Sequence, residues 1–416
     1  MAAIPTRELA ALRVADANET DDFDDDDDDE IQEDGVELGF VSKMDAPLDA
    51  KLLHDNSDWS TWDGGLVGGK PRWLSAAGVP ASERLACSEC ATPLSFLLQI
   101  YCPLDDQPDA FHRSLYVFCC RKPGCSRQGS GKLLRMQLPQ VNTQYPPTEG
   151  VEDLTSSSSL ATPPLCALCG QRGVFKCSAC KVAQYCSKEH QKDHWSHGHK
   201  ADCAKCLEVQ RVVESDTARE VLRNDGSKWV FPQYFVDIET EPDVGQAANE
   251  NEAKLIAAFE KRTSEAPANG DENDPFADDA DFTLSQKDLN DALGTSGNQD
   301  KHYVRFLTRV ELAKDQVLRY ARWQEQSVLW VHSGDTIEHG AVPPCDRCRS
   351  PRKFEFQVLP QLLFYLQVDQ SSSLSEIAQK SCEWGTLVAY TCSQSCALSG
   401  EAADEFLHYQ PPYAGA

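Results

Sequence analysis

The sequence predicts an α+β fold that is mostly β, with a small cysteine-rich finger and acidic disordered segments. Short apolar runs alternate with Pro and Gly over residues 36–142, a pattern typical of short strands. Ten Cys and His residues lie within 38 positions from residue 166, and eight of them have the spacing that is typical of a metal-bound finger. Residues 16–37 and 241–300 are strongly acidic and lack a sustained apolar periodicity, which predicts disorder.

The acidic side chains are concentrated in two places. The chain of 416 residues has a formal net charge of −27. Residues 16–37 contain fourteen Asp and Glu without Lys or Arg, and residues 241–300 carry −11, so the other 334 residues sum to about −2. A binder of duplex nucleic acid needs a basic surface, so we expect a basic partner instead. A purely solubilising role for the acidic runs stays open.

The cysteines are expected to lie in a reducing compartment. No apolar run reaches membrane-spanning length, and the first residues turn acidic before a signal peptide could form. We therefore expect a cytoplasmic and nuclear protein without a membrane association. In such a compartment the pairing of the eighteen cysteines indicates zinc rather than disulfides.

The finger has the spacing C-x2-C-x7-C-x2-C-x5-C-x3-H-x8-H-x3-C. Eight thiol and imidazole groups suit two tetrahedral zinc ions, and a closed set of four ligands leaves no open position for catalysis. A segment this short has too few apolar residues to fold alone, so zinc would supply most of its stability. The candidate ligands are Cys166, Cys169, Cys177, Cys180, Cys186, His190, His199 and Cys203.

This block resembles the MYND-type zinc finger, most specifically in "YCSKEHQ" and "GHKADC". The resemblance implies interleaved ligands, with one ion on Cys166, Cys169, Cys186 and His190 and the other on Cys177, Cys180, His199 and Cys203. His190 replaces a more common Cys, which is acceptable because imidazole Nε2 can replace a thiolate. His194 and His197 compete with His199 as ligand; the position four before Cys203 favours His199, and the other two are expected to be exposed. The resemblance also implies a protein-binding module.

A second cysteine pattern occurs twice. "CSECATPLSFLLQI" and "CDRCRSPRKFEFQV" share both Cys, a Pro, a Phe and a Gln at the same positions, and "LYVFCCRKPGC" aligns with "LVAYTCSQSC". Cys119 falls opposite a Thr in this alignment, so Cys120 is the better candidate ligand. Each copy then offers four cysteines arranged as in a zinc ribbon; reduced core cysteine is the alternative. The candidates are Cys87, Cys90, Cys120 and Cys125, and Cys345, Cys348, Cys392 and Cys396.

The whole chain resembles the programmed cell death protein 2 family. Blocks such as "GGKPRWL", "DAFHRSLYVFCC", "VFPQYFVDIETE" and "WGTLVAYTCSQSC" follow the family's order. The resemblance implies a β-rich domain that is split in the chain by the MYND finger. The predicted segments are an acidic disordered tail (1–37), the two halves of the β-rich domain (38–150 and 301–416), the finger (160–206), a connecting segment with a core strand (207–240) and an acidic disordered linker (241–300).

The resemblance also implies a function, namely a dedicated chaperone of a basic ribosomal protein of the small subunit that supports 40S ribosome assembly. Acidic segments could attract such a client, and no step requires catalysis. The alternative is an interaction scaffold in transcriptional regulation or cell death, whose MYND finger docks proline-containing peptides. We do not expect an enzyme, because no stretch resembles the catalytic domain of the MYND-containing lysine methyltransferases.

Overall fold

The structure is a computed structural model that describes residues 35–42, 64–75, 78–122, 124–125, 127–142, 164–205, 227–242, 300–366, 382–398 and 400–413. Most of the predicted acidic tail and acidic linker lies outside these residues. Three acidic side chains at their ends belong to the fold, however. Glu37 begins the first strand, Glu241 accepts a hydrogen bond from buried Arg319 at 2.9 Å, and Asp300 caps a helix.

The described residues contain twelve strands, ten of which form a closed antiparallel barrel in the order β1-β8-β2-β3-β4-β5-β12-β11-β10-β9. Strands β6 and β7 form a separate hairpin in the finger. The strands are β1 Glu37–Ser42, β2 Gly65–Val67, β3 Ser95–Tyr101, β4 His112–Cys119, β5 Gly131–Leu138, β6 Phe175–Lys176, β7 Gln184–Tyr185, β8 Tyr234–Thr240, β9 Gln316–Tyr320, β10 Arg352–Val358, β11 Thr386–Cys392 and β12 Ala403–Gln410.

The central strands are buried on both faces. Every residue of β4 and of β11 is buried, because alternate side chains point into the barrel or into an outer layer packed against it. Val117 and Phe356 contribute to the interior cluster, whereas Tyr116 and Phe118 pack in an outer cluster with Leu74 and other apolar residues. These strands therefore read as continuous apolar runs rather than as a simple alternation.

Helices are few and short in the described residues. They are α1 Lys188–His194, α2 Lys301–Glu311 and α3 Leu362–Tyr365, together with 3-10 turns at Ser82–Leu85, Pro108–Ala110, Glu325–Ser327 and His339–Ala341. The π-helical segment Trp195–His199 follows α1 and leads into the helical residues 200–205. None of these helices combines the length and the apolar character that crossing a bilayer requires. The prediction of a mostly β protein is confirmed, but a β-barrel with an inserted zinc finger describes it better than the label α+β.

The first strand of the barrel pairs with later parts of the chain. β1 lies between β8, from the connecting segment, and β9, from the C-terminal half, while β8 pairs on its other edge with β2 from the N-terminal half. On the opposite side of the barrel, β5 pairs with β12. Neither half therefore contains a complete sheet, and the barrel requires both.

The internal duplication is visible in the packing. Strands β3 and β10 have a register irregularity at equivalent positions, between Phe96 and Leu98 and between Phe354 and Phe356. Phe96 packs edge-on against Phe118 at 5.7 Å between ring centroids, and Phe354 packs against Tyr390 at 6.2 Å. The aligned aromatic residues of the two copies therefore make the same contact on the outer face of the barrel.

The shared glutamines also have equivalent roles. Gln99 and Gln357 are both fully buried, and the side-chain oxygen of each accepts a backbone N–H, from Arg72 at 2.8 Å and from Leu329 at 2.7 Å. Each glutamine thereby holds an irregular segment against its half of the barrel. A buried backbone N–H needs such an acceptor, which explains why both copies have a Gln here.

Candidate metal centres

The sixteen candidate ligands come together in four groups of four. Within each group the ligand atoms, one per residue, all lie within 4.8 Å of one another. The two groups in the finger are the first finger cluster (Cys166, Cys169, Cys186, His190) and the second finger cluster (Cys177, Cys180, His199, Cys203). The other two are the N-terminal barrel cluster (Cys87, Cys90, Cys120, Cys125) and the C-terminal barrel cluster (Cys345, Cys348, Cys392, Cys396).

The first finger cluster has the dimensions of a tetrahedral zinc site. Cys169 Sγ and Cys186 Sγ are 3.6 Å apart, and His190 Nδ1 lies 3.1 Å from Cys186 Sγ and 3.9 Å from Cys166 Sγ. A zinc ion with Zn–S bonds of about 2.3 Å separates its thiolates by about 3.8 Å. The expected Nε2 coordination by His190 is wrong, because the ring presents Nδ1 to the three thiols.

Local sequence positions these ligands. The N–H of Gly170 donates to the carbonyl of Cys166 at 2.9 Å, which closes a tight turn around Cys169; Gly170 has φ +73°, in the region that favours glycine. Ser187 is the N-cap of α1, and its hydroxyl accepts the N–H of His190 at 3.1 Å. This cap starts the helix directly after Cys186 and places His190 in its first turn, facing that thiol.

The second finger cluster is built on a broken helix. Cys177 Sγ lies 3.9 Å from Cys203 Sγ, and Cys180 Sγ lies 3.6 Å from His199 Nε2. Gly198 has φ +151°, a conformation that L side chains rarely adopt, and it interrupts the helical path between α1 and residues 200–205. The interruption turns His199 inward, and Cys203 follows one helical turn later.

The two competing histidines differ from each other. His197 is exposed, as expected, and its Nδ1 lies 2.8 Å from the carbonyl of Asp193. The expectation that His194 is exposed is wrong: it is fully buried, its Nδ1 lies 3.1 Å from Tyr185 Oη, and its ring stacks on His199 at 5.3 Å. His194 therefore supports the ring of a candidate ligand from outside the cluster.

The two barrel clusters occupy equivalent places in the duplicated halves. In the N-terminal barrel cluster, Cys90 Sγ lies 3.7 Å from Cys120 Sγ. In the C-terminal barrel cluster, Cys345 and Cys396 are 3.8 Å apart and Cys348 and Cys392 are 3.4 Å apart, measured between sulfurs. Each cluster joins a turn before one strand (β3 or β10) to the end of the neighbouring strand (β4 or β11).

Adjacent cysteines at the end of β4 point in different directions. Cys120 belongs to the N-terminal barrel cluster, whereas Cys119 lies in the apolar barrel interior and interacts with the thiol of Cys382. This contact and burial both raise the pKa of Cys119, so its thiol stays protonated at neutral pH. Cys102 and Cys382 are core residues, with 4% of each exposed.

The finger is docked on the barrel by hydrogen bonds that the sequence did not reveal. From the barrel, Trp73 Nε1 donates to the carbonyl of Gly170 at 2.8 Å. From the finger, Gln171 Nε2 donates to the carbonyl of Leu94 at 2.6 Å. An Arg172 guanidinium nitrogen donates to the carbonyl of Val79 at 2.8 Å. On the finger side, Gly170 closes the first finger turn, and Gln171 and Arg172 follow it directly. The segment before β8 adds another contact, because Trp229 packs on His190 with 5.0 Å between ring centroids.

Lys70 places a cation beside the first finger cluster. This half-buried residue lies directly after the β2 turn, and its Cβ sits 3.0 Å from the position that a Cβ on Gly170 would occupy. Burial lowers the pKa of Lys70, while the thiols of Cys166 and Cys169 act in the opposite direction. A zinc ion with three thiolates and one neutral imidazole would have a formal charge of about −1, which an ammonium group on Lys70 would compensate.

The donor sets identify the metal. Thiolate and imidazole in groups of four, with spacings near those of a tetrahedral ion, are the ligands that zinc prefers over magnesium or calcium. The eight finger ligands are nine-tenths or more buried, as in a structural site that is closed to substrate. In the finger, zinc would join turns, hairpin and helix into one unit, and the chain's own residues supply every coordination position.

Comparisons with known proteins agree with this architecture. Residues 35–152 and 300–411 match the N-terminal and C-terminal domains of programmed cell death protein 2, and residues 166–203 match the MYND finger. The bovine (Bos taurus) programmed cell death protein 2 is 34% identical over 353 residues, which cover 83% of this chain and 90% of the bovine protein. The protein of the same name from Rattus norvegicus is 32% identical, covering 90% and 96%.

A second group of relatives is more distant. The human (Homo sapiens) protein called programmed cell death protein 2-like is 28% identical to this chain, with 80% of the chain and 86% of the human protein covered. No solved structure matches the chain. Because the relatives above 30% identity are covered almost from end to end, this chain belongs to the programmed cell death protein 2 family.

Proposed function

We propose that this protein is a non-catalytic chaperone that binds one newly made, basic ribosomal protein of the small subunit and supports 40S ribosome assembly in the cytoplasm and nucleus. The observation that carries the proposal is the charge distribution. Two segments hold −25 of the net charge of −27, and the remaining 334 residues are close to neutral. Such a chain attracts a cationic protein, and its overall negative charge disfavours binding to RNA.

The metal centres support a binding role rather than catalysis. Each of the four clusters provides four ligands, and a tetrahedral ion held by four side chains has no free position for a water or a substrate. The family is not one of known enzymes, and the MYND finger supports a protein-interaction role. Zinc in this chain would therefore hold the shape of a binding surface.

A cavity at one end of the barrel is a candidate seat for a basic side chain of the client. It has a volume of about 510 Å³ and is lined by apolar groups and by Tyr101 and Tyr320, with the exposed Glu37 and Asp237 at its edge. A lining cation, Arg322, lies 3.5 Å from buried Glu355, a carboxylate that also pairs with Arg113. Carboxylates beside aromatic rings suit an Arg or Lys side chain.

The proposal is tested by binding the purified full-length protein to a panel of recombinant small-subunit ribosomal proteins at physiological salt. We expect one strong partner, and an equally basic large-subunit ribosomal protein serves as control for unspecific charge attraction. Glu37→Gln/Asp237→Asn should weaken that one complex, whereas the exposed pair Glu338→Gln/Glu401→Gln should not. Equal binding to all basic proteins, or to none, would contradict the chaperone function.

A second candidate function, an interaction scaffold in transcriptional regulation or cell death, is favoured by the surface of the finger. Of the six large apolar side chains that are exposed in the described residues, three lie on the finger: Val174, Phe175 and Trp195. Such side chains suit docking of a proline-containing peptide. Phe175→Ala/Trp195→Ala in the full chain should remove the partners of a scaffold and leave the binding of a ribosomal protein unchanged.

A further inference from the structure

We propose that the N-terminal and C-terminal barrel clusters each hold one structural zinc ion, so that the chain binds four, and that the C-terminal ion secures the junction between the two halves of the barrel. This inference does not depend on the identity of the client. It rests on three observations, namely the turn that carries each cysteine pair, the spacing of the thiols and the contacts around the C-terminal barrel cluster.

The four cysteine pairs of the form C-x2-C for which the structure describes both members are held by the same turn. In each, the N–H of the residue directly after the second cysteine donates to the carbonyl of the first, at 2.9 to 3.0 Å. That residue has a positive φ in every case: 73° at Gly170, 61° at Lys181, 56° at Ala91 and 65° at Arg349.

The positive φ values distinguish these turns from ordinary loops. Ala91, Lys181 and Arg349 are not glycines, and such residues rarely adopt this conformation without a reason. Two of the four turns belong to the finger, where the ligands are those of a zinc-binding family. The barrel turns around Ala91 and Arg349 have the same backbone, which presents two thiols to one point in the same way.

The thiol spacing fits one ion per cluster. The sulfur separations of 3.4, 3.7 and 3.8 Å in the barrel clusters match those of 3.6 and 3.9 Å in the finger. They also match the edge of a tetrahedron around zinc, about 3.8 Å. An iron–sulfur cluster interposes several atoms between its cysteines and would hold the thiolates further apart. Four thiolates around a single zinc ion therefore agree best with the geometry.

The C-terminal barrel cluster is connected to buried charges that cross the junction. Arg135 of β5 donates to Cys396 Sγ at 3.6 Å and to Glu405 of β12 at 2.7 Å. Glu405 also accepts the N–H of Cys392 at 3.1 Å and a hydrogen bond from Arg352 at 2.9 Å. A cluster with zinc and four thiolates has a formal charge of about −2, so Arg135 lies where it compensates that charge.

The two barrel clusters differ in which half of the chain supplies the contacts to their thiols. Near the N-terminal barrel cluster, the contacts shown to a thiol come from its own half, for example the N–H of Lys122, which donates to Cys120 Sγ at 3.4 Å. The contact from Arg135 to Cys396 instead joins residues 261 positions apart, and it connects β5 to the segment between β11 and β12. Loss of the C-terminal ion should therefore loosen β5 and β12, whereas loss of the N-terminal ion should act on its own half.

Zinc content of the intact protein tests the number of ions. Native mass spectrometry and elemental analysis of the full chain should give four zinc ions and no iron. The neighbouring cysteines at the end of β4 are a matched pair: Cys119→Ser should keep four ions, and Cys120→Ser should keep three. A wild-type protein with two zinc ions, both lost on substitution of finger ligands, would overturn the inference.

A measurement on the unsubstituted chain covers the case in which Cys120→Ser does not fold. Replacement of zinc by ¹¹³Cd should give four resonances, two of them in the range of four-thiolate sites and two in the range of sites with three thiolates and one imidazole. Two resonances alone, or an iron–sulfur absorption spectrum, would overturn the assignment of zinc to the barrel.

Amide exchange tests the unequal roles of the two ions. Cys90 and Cys348 are equivalent in the duplication, since each is the second cysteine of its turn. Cys348→Ser should increase amide exchange in β5 and β12 at least tenfold over the unsubstituted chain, and Cys90→Ser should leave β12 unchanged. Equal exchange in β12 for the two variants would refute the role of the C-terminal ion at the junction.

Discussion

Arg113 and Glu355 form a bidentate ion pair inside the barrel, and the two residues come from opposite halves of the chain. The guanidinium donates to the two carboxylate oxygens at 2.5 and 2.7 Å, and neither side chain has any exposed surface. Tyr320 and Thr391 also donate to Glu355. Burial raises the pKa of Glu355, but Arg113 outweighs it and holds this pKa at about 2, so the carboxylate is charged at neutral pH.

The first prediction concerns this pair. Glu355→Gln leaves the Arg113 charge buried without its partner and should lower the free energy of unfolding by about 3–5 kcal/mol. The double variant Arg113→Met/Glu355→Met should lower the free energy of unfolding by less than the sum of the decreases measured for Arg113→Met alone and Glu355→Met alone. Denaturant unfolding of the zinc-loaded chain measures both. Glu311→Gln, which breaks the exposed pair with Lys314, is the control and should cost at most about 1 kcal/mol; additive single costs would contradict the coupling.

The second prediction separates the three histidines of the finger. His199→Ala should release one zinc ion, since His199 Nε2 faces Cys180, and His197→Ala should retain both finger ions because that side chain is exposed. His194→Ala should retain the ion but weaken its binding about 10–100-fold, as expected for a residue that supports a ligand. Zinc content and competition with a chromogenic chelator measure these effects. If His197→Ala released an ion and His199→Ala did not, His197 rather than His199 would be the ligand.

The third prediction concerns Lys70. Lys70→Met removes the cation beside the thiolates of the first finger cluster and should weaken zinc binding there about 10–100-fold, whereas Lys70→Arg should retain most of the affinity. Lys200→Met is a matched control, because Lys200 is an exposed lysine of the finger. The rate of zinc transfer to a chelator measures the effect. Identical rates for Lys70→Met and Lys200→Met would show that Lys70 does not compensate the site.

The fourth prediction concerns the acidic residues before β1. Residues 16–34 contain thirteen Asp and Glu, and the structure shows that a deletion must end before Gly35 because β1 begins at Glu37. Conversion of these carboxylates to amides should slow the capture of a basic client about 10-fold at low ionic strength, since long-range attraction steers association. Stopped-flow association over a series of salt concentrations measures it.

A comparison of the two association rates at higher salt completes this test. Above physiological ionic strength the Debye length falls below about 8 Å, so the amide variant and the unsubstituted chain should associate at similar rates. An unchanged association rate at low salt would mean that the acidic segment does not steer the client.

Local features were predictable because they depend on residues close in the chain. Each C-x2-C turn is closed by a hydrogen bond between residues four positions apart, and the helix that carries His190 is capped by Ser187. The spacing of these ligands along the chain therefore predicts that they lie close together. The alignment of the two copies placed Cys120 rather than Cys119 opposite Cys392, and the structure brings these two residues to equivalent clusters. The orientation of His190 and the burial of His194 depend on ring packing, which spacing does not encode.

The sequence by itself determined the two ligand groups of the barrel, the duplication and the mostly β character, because turns and strand patterns are short-range properties. The division of the finger ligands into two groups came from the resemblance to the MYND finger. Only the tertiary structure decided the pairing of β1 with β8, the ion pair of Arg113 with Glu355 and the docking of the finger through Trp73. These contacts join residues from 97 to 242 positions apart, and a residue pattern along the chain carries no signal for which distant partners meet. They form because a closed barrel buries both halves against each other, and a buried charge is stable there only beside an opposite charge.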